Sequence, residues 1–146
     1  MPILTNQMMR EIIMDHYTYP RNKRDPQTDK YRKIHMHSDN CIDDLDIYIL
    51  EENGIVIDAC FNGVGCAIST ASTDILCELV KEKNIAQVTE ILSNYEAMIR
   101  EKPYDQDILE EANAFMNTSK QAARIRCALI GCTGIEELIK DEKEEM

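Results

Sequence analysis

Three short stretches of this 146-residue chain carry residue types that can do chemistry together. In Asn40-Cys41-Ile42-Asp43, a thiol and a carboxylate sit two residues apart between two segments with strand character. In Gly63-Val64-Gly65-Cys66, a cysteine opens a helical pattern, where free backbone N–H groups and the positive end of the helix dipole favour a thiolate. Arg124-Ile125-Arg126-Cys127 sets two guanidinium groups near a third thiol, with the same expected effect. Joined in space, Cys41, Asp43, Cys66 and Cys127 would form an S₃O donor set suited to tetrahedral zinc, with Zn–S distances of about 2.3 Å. No finger or ribbon spacing joins these positions. Free cysteines are also common as small buried hydrophobes, so the residues alone leave a metal centre and plain burial both open.

The other potentially reactive residues read more plainly. Cys60 and Cys77 are expected as small packed or partly exposed thiols, and Cys132 as a core or surface thiol. His16 stands near a helix end, where a cation complements the dipole, and His35 and His37 alternate with Ile34 and Met36 as strand-surface residues. Gly63-Val64-Gly65 lacks the Lys, Ser and trailing Gly of a phosphate loop, which discards a nucleotide site. With 16 Lys+Arg against 27 Asp+Glu, the net charge is −11 and the pI about 4.7. Such a surface repels phosphate backbones and anionic lipid, so neither nucleic acid nor membrane is an expected partner. No apolar run approaches the roughly 18–20 residues that span a bilayer. The N-terminus lacks the pattern of a secretory signal, and six cysteines in a reducing compartment point to ligation, sulfur chemistry or burial rather than disulfides. The expected location is cytoplasmic.

The elements that must position these residues follow from periodicity. Met8, Ile12, Ile13 and Tyr17 predict an amphipathic helix over 7–17, ended by Pro20. The polar stretch 21–30 reads as an extended surface connection. Strands are expected over 33–37, 45–50 and 55–61, the last two joined at Glu51-Glu52-Asn53-Gly54, with Ile55, Ile57, Ala59 and Phe61 on one face. From Cys66 the period becomes helical to about residue 80, and a second helix is expected over 85–100 before Pro103. A short acidic helix is expected over 105–113, then a final helix capped by Thr118 or Ser119, whose middle Gly131 and Gly134 interrupt. Strands early and helices late describe one α+β domain over 1–146, a small antiparallel three-stranded sheet covered by helices, with 1–11 and 140–146 frayed.

Several motifs in order resemble those of the U-type iron–sulfur cluster assembly proteins, the family of SufU, IscU and the NifU N-terminal domain. They are Asp15-His16-Tyr17-Thr18-Tyr19-Pro20-Arg21-Asn22, Cys41-Ile42-Asp43, Phe61-Asn62-Gly63-Val64-Gly65-Cys66-Ala67-Ile68-Ser69, and Arg124-Ile125-Arg126-Cys127-Ala128. The resemblance runs from about Ile12 to Leu138. It implies that Cys41, Asp43, Cys66 and Cys127 meet at one exposed end of the fold and bind metal. One branch of the family assembles a [2Fe–2S] cluster as a scaffold and hands it to apo-proteins. The other, the SufU branch, holds zinc and accepts sulfur from a cysteine desulfurase.

This chain looks like the zinc-holding branch, because Arg126 stands where the scaffold branch carries His and 96–113 resembles the insertion of the sulfur-accepting branch. The resemblance therefore implies zinc as the cofactor, Cys41 as sulfur acceptor, a cysteine desulfurase as partner, and a downstream scaffold or apo-protein as recipient. Asp43, a hard oxygen donor among thiolates, is expected to be the arm of the site most easily exchanged. A purely structural zinc module remains a third reading. Two departures from the pattern stand out: Ile42 replaces a glycine, which restricts φ in the loop of Cys41, and Cys132 replaces a tryptophan, which could bring a fourth thiol to the site.

Overall fold

A computed structural model describes residues 4–38 and 42–145, with 141–145 described by backbone alone. Helix α1 spans Asn6–Thr18, with the Thr5 hydroxyl accepting the Met8 N–H at its start. Strands β1 (Arg32–His37), β2 (Asp44–Glu52) and β3 (Ile55–Val64) form an antiparallel sheet in that order. Helices α2 (Ala67–Val80) and α3 (Ile85–Ile99) follow, then two 3₁₀ turns, Glu110–Phe115 and Thr118–Lys120, and helix α4 (Ala122–Glu145). The α+β architecture is therefore as expected, and among the described residues no helix is long and apolar enough to cross a membrane.

The hairpin turn Asn53-Gly54 has φ values of 55° and 80°, the double left-handed geometry that matches the twist of antiparallel strands. Pairing then slips between Leu50 and Glu51, leaving Ile57 without a cross-strand partner. This bulge reverses the expected phase at the start of β3: Val56 is buried and Ile57 exposed, whereas Ala59 and Phe61 face the core as alternation predicts. Residues 22–24 extend along the other side of β3. Asn22 O accepts from Phe61 N–H and Arg24 N–H donates to Phe61 O, so the surface connection covers a sheet edge.

Helix α2 is the buried centre, with every residue from Ser69 to Cys77 enclosed by neighbouring elements. Helix α4 runs through both of its glycines without a break. An added Cβ would fall 2.5 Å from Thr73 Oγ1 at Gly131 and 2.7 Å from Ile47 Cδ1 at Gly134, so the two glycines let α4 lie close on α2 and the sheet. The expected cap at Thr118 or Ser119 is absorbed into a 3₁₀ turn, and the expected acidic helix over 105–113 is instead the turn Glu110–Phe115. The segment expected to fray at the N-terminus is helical from Asn6, with Leu4 and Met9 buried.

A polar clasp joins α1 to the middle of α2. His16 Nδ1 lies 2.6 Å from Asp74 Oδ2, the Asn22 N–H donates to Asp74 Oδ1 at 2.7 Å, and Asn22 Nδ2 donates to the Asp74 carbonyl. Lys81 Nζ in turn donates to Asn22 Oδ1. His16, Asn22 and Asp74 are all buried, so His16 serves an internal ion pair rather than the helix end. Burial disfavours its charge, but the Asp74 hydrogen bond, with the carboxylates of Asp74 and Glu111, outweighs burial and the nearby Arg21, and His16 titrates above its ordinary value.

Because the folded pKa is raised, the stabilisation is complete below the unfolded value near 6.5 and fades as pH rises through the folded value. His16→Gln leaves the buried Asp74 carboxylate without its cation, a loss of roughly 3 kcal/mol at low pH. Urea unfolding of both proteins from about pH 5.5 to about pH 9 should show the gap narrowing as pH rises. A gap that stays constant across that range would assign His16 a packing role only.

Candidate metal centre

The turn from β3 into α2 is built by two glycines with different jobs. Gly63 has φ +118°, and a Cβ there would fall 2.2 Å from the Asp44 carbonyl oxygen, so only glycine permits the strand to close against β2 at this point. Gly65 faces the site, where a Cβ would lie 2.5 Å from Ser69 Oγ, 3.0 Å from Thr70 Oγ1 and 3.5 Å from Asp43 Oδ1. Its missing side chain leaves the space in which those polar groups gather. Cys66 then becomes the N-cap of α2, its Sγ accepting the Ser69 N–H at 3.4 Å, where a serine or aspartate oxygen would ordinarily serve.

Asp43 arrives from the segment entering β2 and is only 2% exposed. Its Oδ1 accepts the Cys66 N–H at 3.0 Å and the Ser69 hydroxyl at 2.7 Å. A carboxylate thus sits on the positive end of α2, held by one backbone and one side-chain donor. Cys127 comes from the first turns of α4 and is buried. Ligand atoms of Asp43, Cys66 and Cys127 all lie within 4.8 Å of one another. Two sulfurs and an oxygen converging on a glycine-lined space suit a borderline-soft ion such as Zn²⁺. Cys41, the fourth residue of the expected set, lies outside the described residues.

The electrostatics separate the thiols. Partial burial raises the Cys66 pKa and the Asp43 charge adds to this, yet the Ser69 N–H, the Ser69 hydroxyl and the Cys127 thiol stabilise the thiolate enough to bring Cys66 below an ordinary cysteine. Burial holds Cys60, Cys77 and Cys132 above the ordinary value, so these stay thiols. Cys132 does not approach the site; its Sγ points to the Leu92 carbonyl at 3.6 Å within the core. Support for the Cys66 thiolate comes from Ser69 on α2 and from Cys127 on α4; Arg124 and Arg126, expected to favour the Cys127 thiolate, have exposed side chains and form no ion pair among the described residues.

Ile42, the residue that replaces glycine, is exposed. Asp43, expected to be the easiest arm to exchange, is instead buried and anchored twice. The residue that sequence reasoning passed over is Ser69, which joins Asp43 to Cys66. Its signal was its place, three residues after a helix-opening cysteine, where a capping partner is expected. Tyr95 was also missed: its hydroxyl donates to the Ala128 carbonyl at 2.8 Å, bracing α4 directly after Cys127.

A three-stranded antiparallel sheet wrapped by helices, with a carboxylate and two thiols gathered where sheet and helices meet, defines a small α+β domain with a donor group suited to a metal ion. The chain belongs to the NifU-like N-terminal domain family, whose model matches residues 8–128. It is 32% identical over 137 residues to the zinc-dependent sulfurtransferase SufU of Bacillus subtilis, covering 93% of this chain and 92% of that protein. It is also 27% identical over 101 residues to the iron–sulfur cluster assembly scaffold protein IscU of Thermotoga maritima, covering 69% and 71% of the two chains. Among solved structures, a putative iron–sulfur cluster assembly scaffold protein for the SUF system from Fervidobacterium islandicum superimposes with a TM-score of 0.83 at 26% identity. That match covers 88% of this chain and 93% of the other.

Ser69→Ala removes a donor to Asp43 that also lies beside Cys66 Sγ, while keeping the helix. Loss of such a supporting hydrogen bond typically weakens a metal site by about 10–100-fold. Competition between the protein and a chelator for Co²⁺, followed by the ligand-field bands of the bound ion, should show a weakening in that range with little change in thermal unfolding of the metal-free protein. Unchanged Co²⁺ affinity would mean that Ser69 does not organise the donors.

Proposed function

We propose that this chain is a single U-type domain that binds zinc through Cys41, Asp43, Cys66 and Cys127 and accepts sulfur on Cys41 from a cysteine desulfurase for iron–sulfur cluster biogenesis. The observation that carries the reading is the convergence of Asp43, Cys66 and Cys127 at the N-terminus of α2. The similarity to the zinc-dependent sulfurtransferase SufU supports it over nearly the full chain. Zinc, when bound there, would keep thiolates deprotonated and oriented without redox chemistry.

The remaining steps belong to the chain and its donor. Asp43 is anchored by Cys66 N–H and Ser69 Oγ, and Cys66 and Cys127 extend from regular helices, so these residues form the fixed part of the site. Cys41 lies between β1 and β2 and is the acceptor. Its thiolate attacks the outer sulfur of the donor persulfide, a new S–S bond forms at Cys41, the donor's S–S bond breaks, and the donor cysteine leaves as a thiolate. The sulfur then passes to a downstream scaffold or apo-protein. The proposed location is the cytoplasm.

A scaffold function, with the same residues holding a [2Fe–2S] cluster, is the second reading, favoured by the similarity to the scaffold protein IscU. Metal analysis of protein purified without added metal should give zinc near one per chain. Iron with acid-labile sulfide, transferable to an apo-protein, would favour the scaffold instead. Cys41→Ala should abolish stimulation of the desulfurase and the gain of one sulfur by intact mass, while circular dichroism stays unchanged. Full stimulation by that variant would remove Cys41 from the role.

A further inference from the structure

Beside the metal centre lies a cavity of about 590 Å³ that neither the fold nor the sulfur chemistry so far explains. Its floor is apolar, with Met9, Ile13 and Met14 from α1, Ile68 from the first turn of α2 and Ala114 from the Glu110–Phe115 turn. Its rim carries Arg10, Lys120 and Arg124, contributed by α1, the second 3₁₀ turn and α4, and no carboxylate is among the described lining residues. In a chain of net charge −11, that is a local reversal of sign. Several other cations are engaged, Arg21 with Asp15, Arg24 with Asp58, Arg100 with Glu96 and Lys81 with Glu78. Arg10, Lys120 and Arg124 form no ion pair among the described residues, and all three are exposed.

We infer that this groove docks a segment of the sulfur-donating partner that carries apolar side chains flanked by carboxylates. The inference rests on the sulfur-accepting reading for the identity of the partner and on the groove itself for the chemistry of the contact. Methionine side chains on an open floor accommodate apolar groups of varied shape. The charges stand exposed around that floor rather than buried within it, an arrangement suited to the rim of a protein interface; a small-molecule site has a few polar groups set inside. Place matters as well. Ala67 and Ile68 line the groove directly after Cys66, and Arg124 precedes Cys127 by one turn, so a segment seated there lies against the thiol end. One wall comes from Ala114, Asn117, Thr118 and Lys120, on and between the two 3₁₀ turns.

The test uses the full chain loaded with zinc and the cysteine desulfurase of the same cell. Arg10→Glu combined with Lys120→Glu should raise the Kd at least tenfold by calorimetry and flatten its salt dependence, because complementary charge is replaced by repulsion. The rate of sulfur transfer at saturating concentration should stay near that of the unmodified chain, since neither residue touches the thiols. Arg10→Gln with Lys120→Gln should fall between the two, and Co²⁺ binding and thermal unfolding report that each variant is folded. A Kd and salt dependence unaffected by charge reversal would overturn the groove as the docking site. So would intact desulfurase binding combined with loss of transfer to the recipient protein, which would assign the groove to the recipient. If reversal weakens binding but even the unmodified chain gains no sulfur, the docking site stands and the sulfur-accepting reading falls.

Discussion

Helix α2 is enclosed by α1, β3, α3, α4 and the Glu110–Phe115 turn, so polar groups at its middle and its start depend on partners that distant parts of the chain bring to it. Two of its residues organise the molecule through that requirement. Asp74, in the middle, takes the His16 ring and the Asn22 N–H, and this fixes α1 and the extended segment after it. At the N-terminus, the Cys66 amide is satisfied by Asp43, which fixes the entry to β2. A buried helix of this composition is unstable as an isolated piece; it becomes favourable when distant parts of the chain bring their polar partners to it.

That constraint also explains the chemistry at the thiol end. A carboxylate next to a thiolate is electrostatically unfavourable, and Asp43 does raise the Cys66 pKa. The start of α2 offsets the repulsion, since its unpaired N–H groups point at both residues and the dipole favours negative charge there. Ser69 completes the arrangement by giving its N–H to the sulfur and its hydroxyl to the carboxylate. The donor atoms are therefore gathered at one spot before any cation arrives.

Much of this was legible in the residues. The change from alternating to helical period falls at Cys66, so the strand, turn and helix that present that thiol could be placed, and the order of three strands followed from turn residues and alternation. Other features depended on tertiary contacts that no local pattern reports. The bulge that turns Ile57 outward is a property of the pairing between β2 and β3, and alternation alone puts it on the wrong face. Gly131 and Gly134 argue against a continuous helix by propensity, yet close packing on Thr73 and Ile47 makes glycine the residue that fits. The partner of His16 is Asp74, far along the chain and reachable only once α1 lies on α2.

The same geometry divides the site into fixed and exchangeable parts, and it reverses the order that ligand chemistry alone suggests. Among thiolates, a carboxylate is the weakest partner for a soft ion and the natural one to leave. Leaving, however, requires somewhere for Asp43 to go. Buried and anchored by Cys66 and Ser69, its side chain has no solvated alternative position without breaking both hydrogen bonds and opening the start of α2. Cys66 is tied to the same cap, and Cys127 extends from a helix packed closely on α2. In the proposed site, what remains is Cys41, which follows β1 and precedes β2 in the chain. The proposed exchange would then be governed by backbone support rather than by donor softness: the hard ligand is held because it is part of a helix cap, and Cys41 is the thiol left for a partner.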